Sequence, residues 1–300
     1  MGVIGGSGFI GSHIVDKLIQ SGHSVTDFDI MPPPNPLARH IYVDILDGSK
    51  TIIALAGEYD AMYMLAAMAN VGDVFRNPTQ AVEVNVTGTA NVLEAVRRHD
   101  IPRVVLASTV WVYSASTADD CTEDSPLTPS KVDHVYTATK IASELLTHSY
   151  ARLYGIKYTV LRYGIPYGPR ARSGTAIAAF VKQAISGKPI TVNGDGQQKR
   201  RFVYVEDLAD ANVLALSQKA INRTYNVDGQ EEVTIIDLAR KVNQLVGPVE
   251  IKFVEARPGD YAQKAVSNQL IKLDLGWNPV TPLNVGLRTY IEWYRSVRKK

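Results

Sequence analysis

A tyrosine and a lysine four residues apart, Tyr136 and Lys140, form the only Y-x-x-x-K sequence in the chain. On a helix, residues at this spacing lie on one face, so the phenol and the ammonium would point the same way. A nearby cation favours the tyrosinate and lowers the phenol pKa, which is normally about 10. The pair could therefore act as an acid or base near neutral pH. Because the chain has 15 tyrosines, a chance pairing on the surface is the alternative.

A glycine-rich stretch near the N-terminus, from Gly5 to Gly11, has the spacing G-x-x-G-x-x-G. A short apolar segment precedes it, and apolar residues at helical spacing follow it as far as Gly22, which predicts a strand, a turn and a helix. Glycines let the backbone approach a pyrophosphate, and the helix N-terminus offers N–H groups and the positive end of the helix dipole. The stretch therefore predicts a dinucleotide site, with a purely structural turn as the alternative.

An acid at the end of the second predicted strand favours the dinucleotide site. Asp29 lies 18 residues after Gly11, about where an acid in such folds hydrogen-bonds the adenosine ribose. An acid there would repel a 2′-phosphate, and no arginine follows before Arg39. The sequence therefore favours NAD over NADP as the cofactor.

Strands and helices alternate through the first half of the chain. The apolar patterns predict strands near 41–43, 60–67, 103–107 and 158–161, and helices at about 77–99 and 136–154. Alternation of this kind predicts an α/β fold with a doubly wound, mostly parallel sheet. Ligands of such sheets bind at the carboxyl ends of the strands, where Gly5, Asp29, Ala66 and Thr109 all fall.

The composition argues against several classes of function. The 300 residues carry a net charge of +2, which argues against a nucleic-acid binder. No apolar run approaches the roughly 18 residues of a membrane helix. The six histidines show no metal-ligand spacing, and the single Cys121 fits a reducing compartment. We therefore expect a cytoplasmic protein with no structural metal, nucleic acid or membrane among its partners.

Taken together, these motifs resemble the extended short-chain dehydrogenase/reductases, in their NAD-dependent nucleotide-sugar epimerase/dehydratase group. The pattern is closest to the UDP-glucose 4-epimerase type, and its order and spacing hold over nearly the whole chain. The matching pieces are Gly5–Gly11, Asp29, 43–45, 65–67, 85–89, 108–113, 136–140, 161–163, 167–170, 194–197, 202–207, 257–260 and 275–277.

The resemblance implies a role for each matching residue. Thr109, Tyr136 and Lys140 would be catalytic, with Tyr136 taking the proton of a sugar hydroxyl and Lys140 holding the nicotinamide ribose and lowering the tyrosine pKa. The implied cofactor-binding residues are Gly5, Gly8, Phe9, Ile10, Gly11, Asp29, Asp44, Ile45, Leu65, Ala66, Ala67, Asn85, Ser108, Tyr136, Lys140 and Tyr163. The implied substrate-binding residues are Thr109, Tyr136, Arg200, Arg257 and Asp260. The two arginines would clamp the nucleotide diphosphate, although a lone arginine is more often a solvated surface charge.

The chain departs from the family pattern at four places. Its first strand lacks the usual Thr-Gly run and looks short. Gly164 and Ile165 stand in the L-R-Y-F-N stretch, so the asparagine that contacts the sugar is missing. Val135, with His134 beside it, occupies the position of the proline before the catalytic tyrosine, and Arg201 replaces an acid. These differences leave the sugar and the nucleotide open.

The residues after Thr109 favour one reaction within the family. Relatives that eliminate water or carboxylate usually carry acids there, whereas this chain has Val110 and Trp111. With only Tyr136 to move a proton, the simplest cycle oxidises a carbinol, lets the keto sugar turn and returns the hydride to its other face. We therefore predict an NAD-dependent 4-epimerase of a nucleotide-diphosphate sugar, of the UDP-hexose type. A dehydratase, decarboxylase or ketosugar reductase stays open, as does a non-enzymatic dinucleotide sensor.

The resemblance also implies how the chain is divided. It places an NAD-binding Rossmann domain at 1–165, with 201–229 returning to it, and a smaller α/β substrate domain at 166–200 and 230–300. In the latter, helices are predicted at 176–186 and after Thr234, where Asp237 is a capping-box acid. A homodimer through the helices at 82–99 and 136–154 is expected from the family.

Overall fold

The computed structural model describes residues 1–116, 118, 120–255 and 265–298. Its strands are β1 Gly2–Ile4, β2 Thr26–Asp29, β3 Arg39–Tyr42, β4 Met62–Met64, β5 Arg103–Thr109, β6 Asp120–Cys121, β7 Lys157–Tyr163, β8 Ile165–Tyr167, β9 Ile190–Asn193, β10 Lys199–Tyr204, β11 Arg223–Val227, β12 Glu232–Thr234, β13 Ile251–Val254 and β14 Ala265–Val266. Its α-helices are α1 Phe9–Gln20, α2 Gly48–Ala54, α3 Val71–Arg76, α4 Pro78–Val82, α5 Gly88–Arg98, α6 Val135–Tyr154, α7 Ala176–Ile185, α8 Val205–Leu214, α9 Ile235–Val246, α10 Gln269–Leu275 and α11 Leu283–Val297.

Seven strands form one sheet in the order β11-β7-β5-β4-β1-β2-β3, and all of its pairings are parallel. The winding direction reverses at β1, which pairs with β2 on one side and β4 on the other. At such a reversal the connections leave in opposite directions, which opens a crevice at the carboxyl ends of the strands. The predicted doubly wound parallel sheet is confirmed, and the short β1 is the strand at which it reverses.

Helices cover both faces of this sheet because the strands carry apolar side chains on both sides. Alternate residues of a strand point to opposite faces, so Val105 joins one hydrophobic cluster and Leu106 the other. The Val105 cluster includes Leu18 of α1 and Leu208 of α8. The Leu106 cluster includes Leu93 of α5. Near-continuous apolar strands such as β5, buried at every residue, are typical of a parallel sheet covered on both faces.

The C-terminal part builds smaller sheets around a core of its own. Strands β12, β10 and β8 form a mixed three-stranded sheet, and β13 pairs with β9 in parallel. Their core includes Phe180 of α7, Leu238 of α9 and Tyr290 of α11. Between β10 and β12 the chain returns to the large sheet, where β11 pairs with β7 at the edge.

Several local predictions need correction. The strand predicted at 60–67 spans only Met62–Met64, and α2 and α3 were not predicted. The long helix predicted at 77–99 is α4, a π-helical turn at Glu83–Thr87 and α5. At this turn the carbonyl of Asn85 accepts hydrogen bonds from the hydroxyls of Thr89 (2.6 Å) and Ser143 (2.9 Å). Side-chain donors of this kind compete with the helical N–H groups and interrupt the regular helix.

A buried ion pair joins α6 to the sheet. Arg162 on β7 donates to both carboxylate oxygens of Glu144 on α6, from Nε at 3.0 Å and from Nη2 at 2.8 Å. The two side chains are only 6% and 3% exposed. Ser108, opposite Arg162 on β5, donates its hydroxyl to the same carboxylate, and Arg162 Nη1 donates to the Tyr113 hydroxyl at 2.6 Å. The pair therefore holds α6 against two neighbouring strands.

We expect Arg162→Met to lower the free energy of unfolding by about 3–5 kcal/mol, because the Glu144 carboxylate would stay buried without its partner. Replacing both residues, in Glu144→Leu/Arg162→Met, should cost less than the single change. Urea denaturation of the three proteins measures this, with Arg223→Met at the exposed start of β11 as the control. A double variant less stable than Arg162→Met would contradict the idea that the uncompensated charge causes the loss.

Candidate active site

The turn between β1 and α1 requires glycine at two positions. Gly5 has a φ of +83°, in the left-handed region that glycine adopts without strain. A Cβ on Gly11 would lie 2.1 Å from the carbonyl oxygen of Gly5. Gly8, at the N-cap of the 12-residue α1, has no side chain to cap the helix. The N–H groups of the first helical turn are therefore available to an anion, which suits a pyrophosphate.

The end of β2 places two carboxylates beside this turn. Asp29 accepts hydrogen bonds from the N–H groups of Ser7 (3.1 Å) and Met31 (3.0 Å), so its carboxylate lies at the glycine turn, as predicted. Asp27 is fully buried beneath the turn and accepts from the Ser7 hydroxyl at 2.7 Å. Burial raises the pKa of Asp27 to about 6. Negative charge at this position favours ribose hydroxyls over a 2′-phosphate.

The segment that follows β4 lies against the same turn from the other side of β1. The N–H groups of Leu65 and Ala66 both donate to the carbonyl of Ile4, at 2.9 and 3.0 Å. A Cβ on Gly5 would lie 2.6 Å from the nitrogen of Ala66, so the two backbones touch. The predicted cofactor residues Leu65, Ala66 and Ala67 thus line the crevice between β1 and β4.

Asn85 ties this segment to α6. Its Oδ1 accepts from the N–H of Met68 at 2.7 Å, and its Nδ2 donates to the Met68 carbonyl at 3.1 Å. The same Nδ2 donates to the Thr139 hydroxyl at 2.9 Å. Both donor hydrogens of the amide are therefore used within the protein. Asn85 lies where the sequence predicted, but its side chain holds the 65–68 segment rather than pointing to the crevice.

Strand β5 and helix α6 bring Thr109, Tyr136 and Lys140 together. Thr109 is the last residue of β5 and Tyr136 the second of α6. Thr109 is the side chain that interacts with the Tyr136 phenol. Lys140, one helical turn further on, is buried and donates from Nζ to the carbonyl of Ala107 at 2.9 Å. The three residues predicted to be catalytic thus meet at the carboxyl end of β5.

The prediction that Lys140 lowers the pKa of Tyr136 is wrong for the protein by itself. Burial raises the pKa of Tyr136 to about 12, and the opposing influence is the hydrogen bond with Thr109. The Lys140 ammonium is directed at the Ala107 carbonyl instead. Burial also lowers the pKa of Lys140 to about 8, against the attraction of Glu144. A phenolate at neutral pH therefore needs further positive charge beside Tyr136.

Other predicted cofactor residues are placed as follows. Phe9 and Ile10 open α1, and Asp44 is exposed at the turn after β3. The Ile45 side chain packs against Gly88 in the core. Ser108 is engaged by Glu144, and the Tyr163 hydroxyl donates to Asn212 Oδ1 at 2.7 Å. The side chains of Ile45, Ser108 and Tyr163 are thus used for packing and hydrogen bonds inside the protein.

Among the described residues, Thr109 and Tyr136 are the predicted substrate residues that the structure brings to this site. Arg200 lies on β10, opposite Val233 of β12, and donates to the carbonyl of Lys199 at 2.8 Å. Arg257 and Asp260 fall outside the described residues. The clamp for a nucleotide diphosphate therefore stays a prediction.

One cation near the glycine turn was missed by the sequence analysis. Nη2 of Arg172 lies 3.7 Å from the position that a Cβ on Gly8 would take. The loop that carries it follows β8 and is bound to α1, because Arg170 forms an ion pair with Asp16 at 2.7 Å. The only signal in the sequence was a second arginine, Arg172, just after the matched 167–170 stretch.

Two rings beside the tyrosine were noted in the sequence without a contact to it: Trp111 as a position that lacks an acid, and His134 as the neighbour of Val135. The Trp111 ring lies edge-on to Tyr136, with centroids 6.2 Å apart, and edge-on to His134 at 6.0 Å. Nδ1 of His134 accepts a hydrogen bond from the N–H of Tyr136 at 3.1 Å. Both rings therefore contact the tyrosine that is predicted to be catalytic.

Neither a metal centre nor a membrane span is found in the described part of the chain. Across residues 1–116, 118, 120–255 and 265–298, no three His, Cys, Asp or Glu side chains are grouped to hold a metal ion. No helix within the same ranges has the length and apolar character needed to cross a bilayer.

We expect Gly11→Ala and Gly8→Ala to affect the dinucleotide site differently. A Cβ at Gly11 meets the Gly5 carbonyl at 2.1 Å, so the turn must deform and both thermal stability and NAD binding should fall. At Gly8 the same carbonyl is 3.2 Å away, so the protein should stay near wild-type stability while NAD binding weakens. Thermal denaturation and calorimetric titration with NAD measure the two effects. Wild-type NAD affinity in Gly11→Ala would contradict this assignment of the turn.

Comparison with known proteins identifies the family. The profile of the NAD dependent epimerase/dehydratase family matches residues 1–228. A putative UDP-glucose 4-epimerase of Methanocaldococcus jannaschii is 32% identical over 305 residues, covering 98% of each chain. UDP-glucuronic acid decarboxylase 1 of Xenopus tropicalis is 31% identical over 306 residues, covering 98% of this chain and 72% of its own. The UDP-glucose 4-epimerase of Thermotoga maritima, solved with UDP-glucose, has a TM-score of 0.91 at 28% identity and covers 99% of this chain and 100% of its own.

The matched residues 1–228 contain the glycine turn, Asp29 and the Thr109, Tyr136 and Lys140 set. The family resemblance inferred from the motifs is therefore confirmed, and NAD is the cofactor that the family shares. On the fold, the site and these comparisons, the chain belongs to the NAD dependent epimerase/dehydratase family.

Proposed function

We propose that this protein is an NAD-dependent 4-epimerase of a nucleotide-diphosphate sugar and that its substrate is a UDP-hexose. The proposal depends on one observation: Thr109, Tyr136 and Lys140 meet at the end of β5, and the side chain against the tyrosine ring is Trp111 rather than an acid. Two of the similar proteins named above are UDP-glucose 4-epimerases, which supports the choice.

The residues around the crevice fit NAD. The glycine turn and the uncapped N-terminus of α1 suit the pyrophosphate, with Arg172 as an additional cation, and Asp29 suits the adenosine ribose. We propose that Asp44 lies near the adenine and that Lys140 holds the nicotinamide ribose. When bound, NAD supplies the reversible two-electron oxidation of a carbinol carbon.

Tyr136 moves the proton in the proposed cycle. Its oxygen takes the proton of the sugar C4 hydroxyl and returns it after the keto sugar has turned. Thr109 lies beside the phenol and would orient it for both transfers. Because burial raises the pKa of Tyr136 to about 12, the phenolate form depends on positive charge added to the site, which the oxidised cofactor would supply.

Elimination of water or carboxylate requires a second acid or base beside the neighbouring carbon. The two positions after Thr109 hold Val110, which is buried at 2% exposure, and Trp111, and neither can transfer a proton. A decarboxylase among the relatives keeps that reaction as the main alternative, together with a dehydratase. A ketosugar reductase would consume NAD(P)H stoichiometrically, and a sensor would not need the Thr109, Tyr136 and Lys140 set.

We further propose that two parts of the chain bind different molecules. Residues 1–165, with 201–229, would bind NAD, and residues 166–200 and 230–300 would bind the nucleotide sugar, with Arg200, Arg257 and Asp260 contributing. The C-terminal part has a hydrophobic core of its own, which supports this division, although that core includes Phe202 and Tyr204 of β10. The buried free Cys121 suits the cytoplasm as the site of action.

The outer faces of the helices from Pro78 to Tyr154 support a homodimer. Val82, Leu145 and Leu153 are 44%, 59% and 72% exposed on α4 and α6. A contiguous patch of exposed apolar side chains is typical of surfaces that associate, and these three residues would contribute to one. We propose that two copies of the chain pair through α5 and α6.

Leu145→Glu should convert this dimer to a monomer, because a charge would be buried at the interface without a partner. Light scattering after size-exclusion chromatography measures the mass. The matched control is Leu273→Glu on α10, which is 69% exposed and lies away from these helices. A Leu145→Glu protein that keeps the wild-type mass would rule out this interface.

We expect purified protein with NAD and no added reductant to convert a UDP-sugar to an isobaric product inverted at C4. UDP-glucose, UDP-N-acetylglucosamine and UDP-glucuronate should be incubated and resolved by mass spectrometry and NMR. Tyr136→Phe should lower turnover by about 10²–10⁴, the usual contribution of a general acid or base, while NAD still binds.

The control for this test is Tyr158→Phe, at the amino end of β7 and so at the opposite edge of the sheet. Loss of water or carbon dioxide would replace the epimerase proposal with the dehydratase or decarboxylase. Undiminished turnover in Tyr136→Phe would show that the proton is moved by another group.

A further inference from the structure

We propose that His134 is a positioning residue for the catalytic tyrosine: its neutral imidazole holds the backbone N–H of Tyr136, and uptake of a proton by His134 releases it. The inference rests on the proposed function, because His134 acts on turnover only through Tyr136. It goes beyond that function by predicting how turnover responds to acid.

His134 is the N-cap residue of the 20-residue helix α6. Its backbone is extended, with φ −128° and ψ 126°, and its Nδ1 accepts from the N–H of Tyr136 at 3.1 Å. The residues usually preferred at this position, Ser, Thr, Asp and Asn, accept through an oxygen. An imidazole nitrogen accepts only when it carries no hydrogen, so this bond requires neutral His134 with its hydrogen on Nε2.

The remaining polar atoms of Tyr136 contact groups whose protonation does not change between neutral and acidic pH. The Thr139 hydroxyl donates to the Tyr136 carbonyl at 2.8 Å, and Asn85 in turn donates to Thr139. Thr109, which does not titrate, is the side chain that interacts with the phenol. The bond from the Tyr136 N–H to His134 is thus the contact around this residue that a proton can break.

The imidazole of His134 is itself held in place by a ring contact. The Trp111 ring meets it edge-on, with an interplanar angle of 89° and centroids 6.0 Å apart. The same indole meets Tyr136 edge-on at 6.2 Å. The three rings form one cluster, so a change in the position of His134 is transmitted to the tyrosine through Trp111 as well as through the backbone.

Protonation would reverse the interaction between His134 and the helix. Nδ1 would become a donor facing another donor, and a positive charge would stand at the positive end of the α6 dipole. Lys131 and Asp133 precede His134, Tyr136 follows it, and Trp111 packs on it without a titratable group. Burial alone lowers the pKa of His134 below its ordinary 6.5. The capping bond is therefore complete at neutral pH and is lost as the pH falls through that lowered pKa.

The first test is the pH dependence of kcat/KM in wild type, His134→Asn and His134→Ala. Wild-type kcat/KM should fall as the pH drops through the pKa of His134 and level off about fivefold lower, near the value of His134→Ala, because protonation removes the same capping bond. Asparagine is a strong cap and does not titrate, so His134→Asn should stay within about twofold of the neutral-pH activity and lose this acid limb. His134→Ala should be about fivefold slower across the range, because the cap is gone at every pH.

His23→Asn is the matched control. His23 lies in the turn before β2, at the edge of the sheet opposite the site, so this variant should keep the wild-type acid limb. An unchanged acid limb in His134→Asn would overturn the proposal.

An NMR titration of ¹⁵N-labelled protein without substrate gives a measurement independent of turnover. The Tyr136 amide resonance should shift with the pKa of His134 in wild type and should not do so in His134→Asn. If the Tyr136 amide titrates but the protein converts no nucleotide sugar, the role of His134 would be supported and the proposed reaction would be rejected. A Tyr136 amide that does not titrate in wild type would overturn the role of His134.

Discussion

The ion pair between Glu144 and Arg162 determines where α6 lies, and the position of α6 determines the site. Two charges that are almost completely buried must be paired, since either one alone would cost several kcal/mol. Tyr136, Lys140 and Glu144 follow each other at four-residue spacing on one face of α6. Once Glu144 binds Arg162 on β7 and Ser108 on β5, Lys140 is brought to the carbonyl of Ala107 and Tyr136 to the hydroxyl of Thr109.

Close approach between backbones accounts for the glycines at the ends of the strands. Gly5 touches Ala66 across the crevice. Gly164, one of the departures from the family pattern, has a similar explanation: a Cβ there would lie 1.8 Å from Oδ1 of Asp228. Burial raises the pKa of Asp228 to about 7. The larger residue usual at position 164 would therefore collide with a carboxyl group that this chain buries at the end of the sheet.

The electrostatics of the site couple proton transfer to what the site binds. Burial of Tyr136 and Lys140 opposes charge on both side chains, since it raises the pKa of the phenol and lowers the pKa of the ammonium. The protein alone therefore keeps the tyrosine protonated at neutral pH. The proposed base, the Tyr136 phenolate, would therefore form only when a cation adds to the site, which would restrict the chemistry to the loaded enzyme. Trp111 and His134 add no charge of their own at neutral pH.

Local spacing determined much of what could be inferred from the sequence by itself. The glycine turn, the Tyr136–Lys140 pair and the alternation of apolar segments predicted the parallel sheet, the family and the cofactor, because each signal lies within a few residues of one chain segment. Contacts between distant segments carry no such signal in the sequence. The tertiary structure alone therefore decided three of them: the Glu144–Arg162 pair, the approach of Arg172 to Gly8 and the contact of Trp111 with Tyr136. The tertiary structure also decided the pKa of Tyr136. The spacing to Lys140 predicted a lowered pKa, but in the packed protein burial raises it and the Lys140 ammonium is directed at the Ala107 carbonyl.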